Sequence, residues 1–297
     1  MAHVSVLLDE CVDALQVRPG VSIIDGTING GGHSEAIVRA LQGEGLLLGI
    51  DLDRTALERA GKRLQGSGVT VHLREGNYAQ MEEFAKEIGC TSFDGILLDL
   101  GLSSNQLEES GRGFSFQRNE PLSMTFKADE APGHFTAREI VNEWEESTLA
   151  DILYGYGEEK FARKIARGIV TMRAMRPILT TADLVEVVKR STPFWYHRGK
   201  THPATRTFQA LRIAVNDEME SLRKGLAAAF TLIAPKGRIA IISFHSIEDR
   251  IVKTSFLEAQ KNGKGTVLTR KPILPGTEEL TRNPRARSAK LRIFEAA

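Results

Sequence analysis

The segment Val21–Asp53, VSIIDGTINGGGHSEAIVRALQGEGLLLGIDLD, constrains the fold of this chain more than any other. Val21-Ser22-Ile23-Ile24 is a β-rich run that ends at Asp25 and enters a loop holding Gly26, Gly30, Gly31 and Gly32. Ser34 is placed to cap a helix through its hydroxyl. Ala36, Ile37, Ala40 and Leu41 then recur at helical spacing, which leaves one face apolar. Gly43 and Gly45 end that helix, and Leu46–Ile50 reads as a buried strand that stops at Asp51. Such a βαβ unit sets glycine-loop amides and a helix N-terminus beside the strand ends, where a nucleotide-like ligand sits. Asp51 follows the glycines by roughly the 20 residues expected of an acid that binds ribose hydroxyls. An adenosine-type cofactor is therefore expected.

Spacing alone does not choose the cofactor. A dinucleotide fingerprint needs G-x-G-x-x-G, and counting from Gly30 and Gly32 the third glycine position is Glu35. That mismatch weighs against a pyrophosphate cradle and against a nicotinamide-dependent oxidoreductase. S-adenosylmethionine carries no phosphate and offers a sulfonium, a carboxylate and an ammonium. Asp25, at the end of the first strand, suits the ammonium better than it would suit a pyrophosphate.

The alternation of strand and helix continues past Asp53. Arg54–Leu64 is helical with Ala56, Leu57, Ala60 and Leu64 on one side, and Val69–Leu73 alternates as a third strand. Asn77 and Tyr78 follow it, either to meet an adenine edge and face or to form a turn with a packed tyrosine. Met81–Ile88 is a helix, and Phe93–Leu98 is a fourth strand that runs into Asp99 and the loop Gly101-Leu102-Ser103-Ser104. An acid at a strand tip in a doubly wound sheet lines the ligand crevice and is placed for chemistry. From Gly111 to Asn216 no parallel strand is legible, but helical patterns cover 136–144, 147–154, 158–175, 181–190 and 205–222. Strand signals return at Gly237–Ser243, Val267–Arg270 and Lys290–Glu295. The expected organisation is a discontinuous α/β domain, 1–108 with 217–297, and an inserted helical domain, 109–216.

Charge is segregated along the same lines. The 297-residue chain has a formal net charge of only +1, yet residues 160–215 hold 12 Lys/Arg against 2 Asp/Glu while residues 1–110 hold 8 against 17. A basic insertion beside an acidic cofactor domain points to a polyanionic substrate, nucleic acid above all. Arg198, Lys200, Arg206 and Arg212 are the expected phosphate contacts. Cys11 and Cys90 alone offer no disulfide framework or zinc pattern, and His197 and His202 lack acidic or cysteine companions, so no metal site is expected. The first fifteen residues carry His3, Asp9, Glu10 and Asp13, unlike a signal peptide, and no apolar run approaches the ~20 residues that span a bilayer. A cytoplasmic location without a membrane partner is the expectation.

Several separated blocks resemble one family, the bacterial cytosine-N(4) methyltransferases of small-subunit (16S) ribosomal RNA (RsmH type, also called MraW). They include DGTINGGGHS at 25–34, GIDLD at 49–53, DGILLDLGLSSNQL at 94–107, RGFSF at 112–116 and YGEEKFARKIARGIV at 156–170. HPATRTFQALRIAVNDE at 202–218, ISFHSIEDRIVK at 242–253 and NPRARSAKLR at 283–292 extend the likeness nearly end to end. The resemblance implies a class I S-adenosylmethionine-dependent methyltransferase, Rossmann-like, with an inserted substrate-recognition domain. It implies methylation of one cytidine amine in the decoding region, within an assembled or nearly assembled small subunit, and leaves a homodimer open. By motif position it assigns cofactor contacts to Gly31, Gly32, His33, Asp51, Tyr78, Asp99 and Gln106. This chain departs from the family at Ser123 and Thr125, where an aspartate and an arginine are usual.

That reaction needs the delocalised lone pair of a cytosine amine aimed at the sulfonium methyl, with acceptors on its N–H groups. Asp99 and the Leu100–Ser103 loop, Ser103 included, are the expected acceptor set. His245, just past the strand ending near Ser243, is either a proton shuttle or a turn residue bonded to backbone.

Overall fold

The computed structural model describes residues 5–102, 107, 110–127 and 135–297. They fall into two compact units, Met1–Ser103 with Met219–Ala297, and Ser104–Glu218.

The first unit is built on a 7-stranded sheet. Its elements are α1 (Leu8–Ala14), β1 (Ser22–Asp25), α2 (Gly32–Leu41), β2 (Leu46–Asp51), α3 (Arg54–Leu64), β3 (Thr70–Glu75), α4 (Met81–Glu87) and β4 (Phe93–Asp99). After the second unit come α11 (Glu218–Leu232), β5 (Ile233–Ser243), α12 (Ser246–Lys261), β6 (Gly265–Val267), α13 (Thr277–Arg282) and β7 (Lys290–Ala296). The strand order is β3-β2-β1-β4-β5-β7-β6, with β1 to β5 parallel and β7 antiparallel to both its neighbours. Successive residues of a strand face opposite sides, and here both sides are apolar. Ile23, Leu47, Leu97, Ala240 and Ile242 join Ile37, Leu41, Leu57 and Ala60 of α2 and α3 in one layer. Ile24, Leu48, Ile96, Leu98, Ile239 and Ile241 join Phe84, Leu226 and Phe256 of α4, α11 and α12 in the other. Burial on both faces is why the central strands carry runs such as Leu46–Leu48 and Ile96–Leu98 with no polar residue.

Three expectations are corrected. The second helix starts at Gly32, with Gly31 at its N-cap in a left-handed conformation (φ 77°), so Ser34 lies inside the helix and caps nothing. The helix read over 205–222 breaks at Asp217 (φ 47°), and a separate helix, α11, carries the chain on to Leu232. The return strand begins at Ile233, not Gly237, with a register shift against β4 before the ladder becomes regular at Gly95↔Arg238.

The second unit is helical: α5 (Ala137–Glu143), α6 (Glu146–Gly155), α7 (Ala162–Met175), α8 (Thr181–Ser191), α9 (Phe194–His197) and α10 (Thr205–Asn216). Thr136 and Thr180 open α5 and α8 with reciprocal capping boxes through Glu139 and Asp183. Thr180→Ala removes a hydroxyl that accepts from the Asp183 amide and donates to its carboxylate, and is expected to cost about 1 kcal/mol. Denaturant unfolding followed by circular dichroism checks this, and an unshifted midpoint would mean Asp183 holds the turn alone. No described helix is long and apolar enough to cross a membrane.

Candidate cofactor and active site

Three acids stand at the carboxyl ends of adjacent strands of the first unit. The ladders pair Asp25 with Gly49 and with Leu97. Asp51 and Asp99 therefore each lie two residues beyond Asp25's partners, on the same side of the pleat. This is the crevice that an open parallel sheet offers a ligand.

The local chain holds each carboxylate differently. Asp51 accepts the Asp53 amide on one oxygen at 2.8 Å and the Asn29 amide on the other at 2.7 Å. Asn29 reaches it because it adopts a left-handed conformation ahead of Gly30 (φ 49°). Burial pushes the Asp51 carboxyl up to about 6. Asp25 accepts from the Ser34 hydroxyl at 2.6 Å and the Thr27 amide at 3.2 Å. Burial raises its carboxyl too, against the pull of His33 and of those hydrogen bonds. Asp99 donates its own amide to Thr27 Oγ1 at 2.6 Å. Its Oδ2 lies 3.7 Å from His33 Nδ1, while Oδ1 is buried with no hydrogen-bond partner among the described residues. Burial pushes the Asp99 carboxyl up to about 6; His33 lowers it, and Asp25 and Glu248 raise it. His33 is fixed at its far side, Nε2 standing 2.9 Å from the carbonyl of Val6. The start of α2 is tight at Gly31 and Gly32, where a Cβ would crowd the Ala60 backbone at 3.1 Å and displace the Ser5 hydroxyl respectively.

Tyr78 begins a short 3-10 turn and lays its ring on the backbone at Gly225 of α11. Asn77 is committed elsewhere: its Oδ1 accepts the Ala79 amide and its Nδ2 donates to Ser221. An adenine edge is thus left without Asn77, and Tyr78 is the aromatic at that strand end. His245 is the N-cap of α12, its Nδ1 accepting the Glu248 amide at 3.3 Å while Glu248 accepts the Phe244 and His245 amides. Ser103 and Gln106 lie outside the described residues.

In the second unit Lys200 and Arg206 line, with Lys160, Trp195, Tyr196 and His202, a cavity of about 240 Å³. Arg198 lies over the Phe194 ring, 4.6 Å from its centroid. Arg212 is placed differently from expectation. It forms a two-pronged ion pair with Glu218, both contacts 2.8 Å, and the two side chains are only 15% and 10% exposed. It holds the turn after α10 and does not face solvent phosphate. The Ser123/Thr125 departure leaves its segment anchored. Arg112 donates to the Thr125 and Phe126 carbonyls, and Asn216 donates to the Met124 carbonyl and accepts the Phe126 amide.

Sequence reasoning missed Thr27, Asn29 and Glu248 as neighbours of the acids. The Asn29-Gly30 pair and the N-cap-plus-three spacing from His245 to Glu248 were the available signals. Thr27 had none.

A parallel sheet with one antiparallel strand slotted beside its last member, and acids at the tips of β1, β2 and β4, defines a class I methyltransferase. The chain belongs to the MraW methylase family, whose model matches residues 1–297. It is 44% identical to the ribosomal RNA small subunit methyltransferase H of Brevibacillus brevis, over 99% of this chain and 97% of that protein. Proteins of the same name from Heliobacterium mobile (45%, 99% of this chain and 98% of that one) and Syntrophotalea carbinolica (46%, 98% and 96%) are equally similar.

Proposed function

We propose that this protein methylates the N(4) amine of a cytidine in small-subunit ribosomal RNA, taking the methyl group from S-adenosylmethionine, in the cytoplasm and on an assembled or nearly assembled subunit. The observation that carries the reading is the buried Oδ1 of Asp99 at the tip of β4, without a partner among the described residues and beside the acid-lined glycine loop. A buried carboxylate oxygen without a donor is costly, and a bound amine relieves that cost.

The residues present suit the cofactor. Asp51, already aimed by two amides, has lone pairs left for ribose hydroxyls. Asp25, Gly31, Gly32 and His33 surround the loop that would receive the amino-acid end, and Tyr78 offers a ring to the base. The cofactor supplies, when bound, an electrophilic methyl group on a sulfonium sulfur. Asp99 accepts from the cytosine amine, aims its lone pair and favours positive charge growing on nitrogen. No strong base has to act before transfer, because the methylated nitrogen sheds its proton readily. The target cytidine must be unpaired, since pairing occupies its amine.

Transfer of tritiated methyl to naked ribosomal RNA, to small subunits and to whole ribosomes tests the proposal. Labelled N(4)-methylcytidine from at least one of the three is the expected result, and label in none overturns it. The helical segment 109–216 is proposed to bind the RNA. Neutralising Arg198, Lys200 and Arg206 together is expected to weaken RNA binding and to lower the log–log salt slope by about 2, at roughly 0.7 per single-strand phosphate contact. Cofactor affinity should not change. A slope equal to wild type would reduce the basic surface to a solvated face.

A further inference from the structure

We propose that His33 and Asp99 act as one proton-accepting pair, a neutral imidazole and a carboxylate before transfer, and that this pair takes up the proton the substrate amine sheds on methylation. The inference rests on the reaction proposed above, but the pair itself is defined by geometry.

The ring orientation decides the tautomer. His33 Nε2 stands 2.9 Å from the Val6 carbonyl, and a carbonyl can only accept, so Nε2 carries the hydrogen. In the neutral ring Nδ1 is then bare, and it faces Asp99 Oδ2 at 3.7 Å. A bare nitrogen and a carboxylate oxygen are both acceptors. At that separation no hydrogen bond joins them, and their approach in a buried site, with His33 5% and Asp99 7% exposed, becomes favourable when an arriving proton turns the pair into imidazolium and carboxylate. The surroundings allow few other homes for it. The groups that act on Asp99 are Asp25 at the tip of β1, Glu248 on α12 and His33 on α2, with the Cys11 thiol of α1 also in range. Of these only His33 can become a cation. Asp25 is engaged by Ser34 and Thr27, and Glu248 by two amides.

The proton's route balances. The amine lone pair forms the new N–C bond while the electrons of the old C–S bond stay on sulfur, leaving nitrogen positive. The N–H bond then breaks with its electrons returning to nitrogen, and the proton forms an O–H bond on Asp99, whose Oδ1 has no donor among the described residues. Rotation of the Asp99 carboxyl then carries that proton to His33 Nδ1, and Asp99 is again an anion, beside an imidazolium anchored by Val6. The proton leaves to solvent when the product does. His33 acts through Asp99 and is a positioning residue.

The test begins on the substrate-free protein. Nitrogen-15 spectra of labelled histidine are expected to show His33 in the Nε2–H form, and an Nδ1–H tautomer would overturn the proposal. Carbon-13 spectra of labelled aspartate follow Asp99, whose carboxyl burial pushes up to about 6. His33→Gln keeps an amide donor for the Val6 carbonyl but cannot take a proton. It should move the Asp99 midpoint upward, and should move the acid limb of single-turnover methyl transfer upward by the same amount, at saturating methyl donor. A merely structural histidine would move neither. If the midpoint moves but no cytidine is methylated, the pair stands and the reaction assignment fails. If methylation proceeds while midpoint and acid limb both match the wild type, the pair fails and the assignment stands.

Discussion

Asp99→Asn is expected to slow single-turnover methyl transfer by about a hundred- to a thousandfold, with RNA affinity nearly unchanged. The carboxylate is buried at the tip of β4, one oxygen facing His33 and the other lacking any donor among the described residues. If that oxygen accepts from the amine as nitrogen gains positive charge, its contribution is largest in the transition state. Asparagine keeps the shape, but exchanges the anion for a neutral amide whose N–H groups can meet the amine's own. Loss of one such electrostatic group costs about 2.7–4 kcal/mol. The assay is run at saturating methyl donor, because Asp99 is also a proposed cofactor contact. Full-rate transfer under that condition would confine Asp99 to the cofactor and turn attention to Ser103 and His245.

Asp51→Ala is expected to weaken cofactor binding by about 1.5–3 kcal/mol, the range for a hydrogen bond to a charged group, read by calorimetry. Unchanged affinity would place the ribose-binding acid elsewhere. The pH dependence follows from the same carboxyl. Burial pushes it up to about 6 from the ordinary aspartate value of 3.8. Between those values the folded chain binds a proton the unfolded chain lacks, so this group's contribution to stability declines as pH rises through the window. Cofactor binding runs the other way. The anion is the better acceptor, so affinity should be level above neutrality and fall as pH drops below about 6. Affinity that stays flat down to pH 5 would contradict ionised Asp51 as the ribose acceptor.

Much of this was legible because the sheet is buried on both faces. Leu46–Ile50 and Gly95–Leu98 hold only glycine and aliphatic residues, and each ends abruptly in an acid, so strand and site were read from the same residues. What escaped has specific causes. Ser34 looked like a cap because nothing marks Gly31 as the residue that turns left-handed and starts the helix early. The break at Asp217 involves neither glycine nor proline. For the same reason the Arg212–Glu218 pair was hidden: it closes across that break, at no helical spacing. His33 and Asp99 belong to different strand–helix units, and only the parallel register brings them together.

The pairing of β4 with β5 also bears on how the chain comes to be folded. These strands are direct neighbours in the sheet, yet everything from Leu100 to Leu232 is made between them. At a ribosome adding roughly 5–20 residues per second, β4 waits on the order of ten seconds for its partner. During that wait its open edge, with Ile96 and Leu98 destined for the core, is a template for wrong pairing. The helices α5 to α10 need no such delay, because their contacts are local and their own core, around Ile165, Ile169, Leu184 and Leu211, is complete before β5 exists. Nascent chains halted before Ile233 should therefore hold a protease-resistant helical unit beside an unfinished, chaperone-binding half sheet.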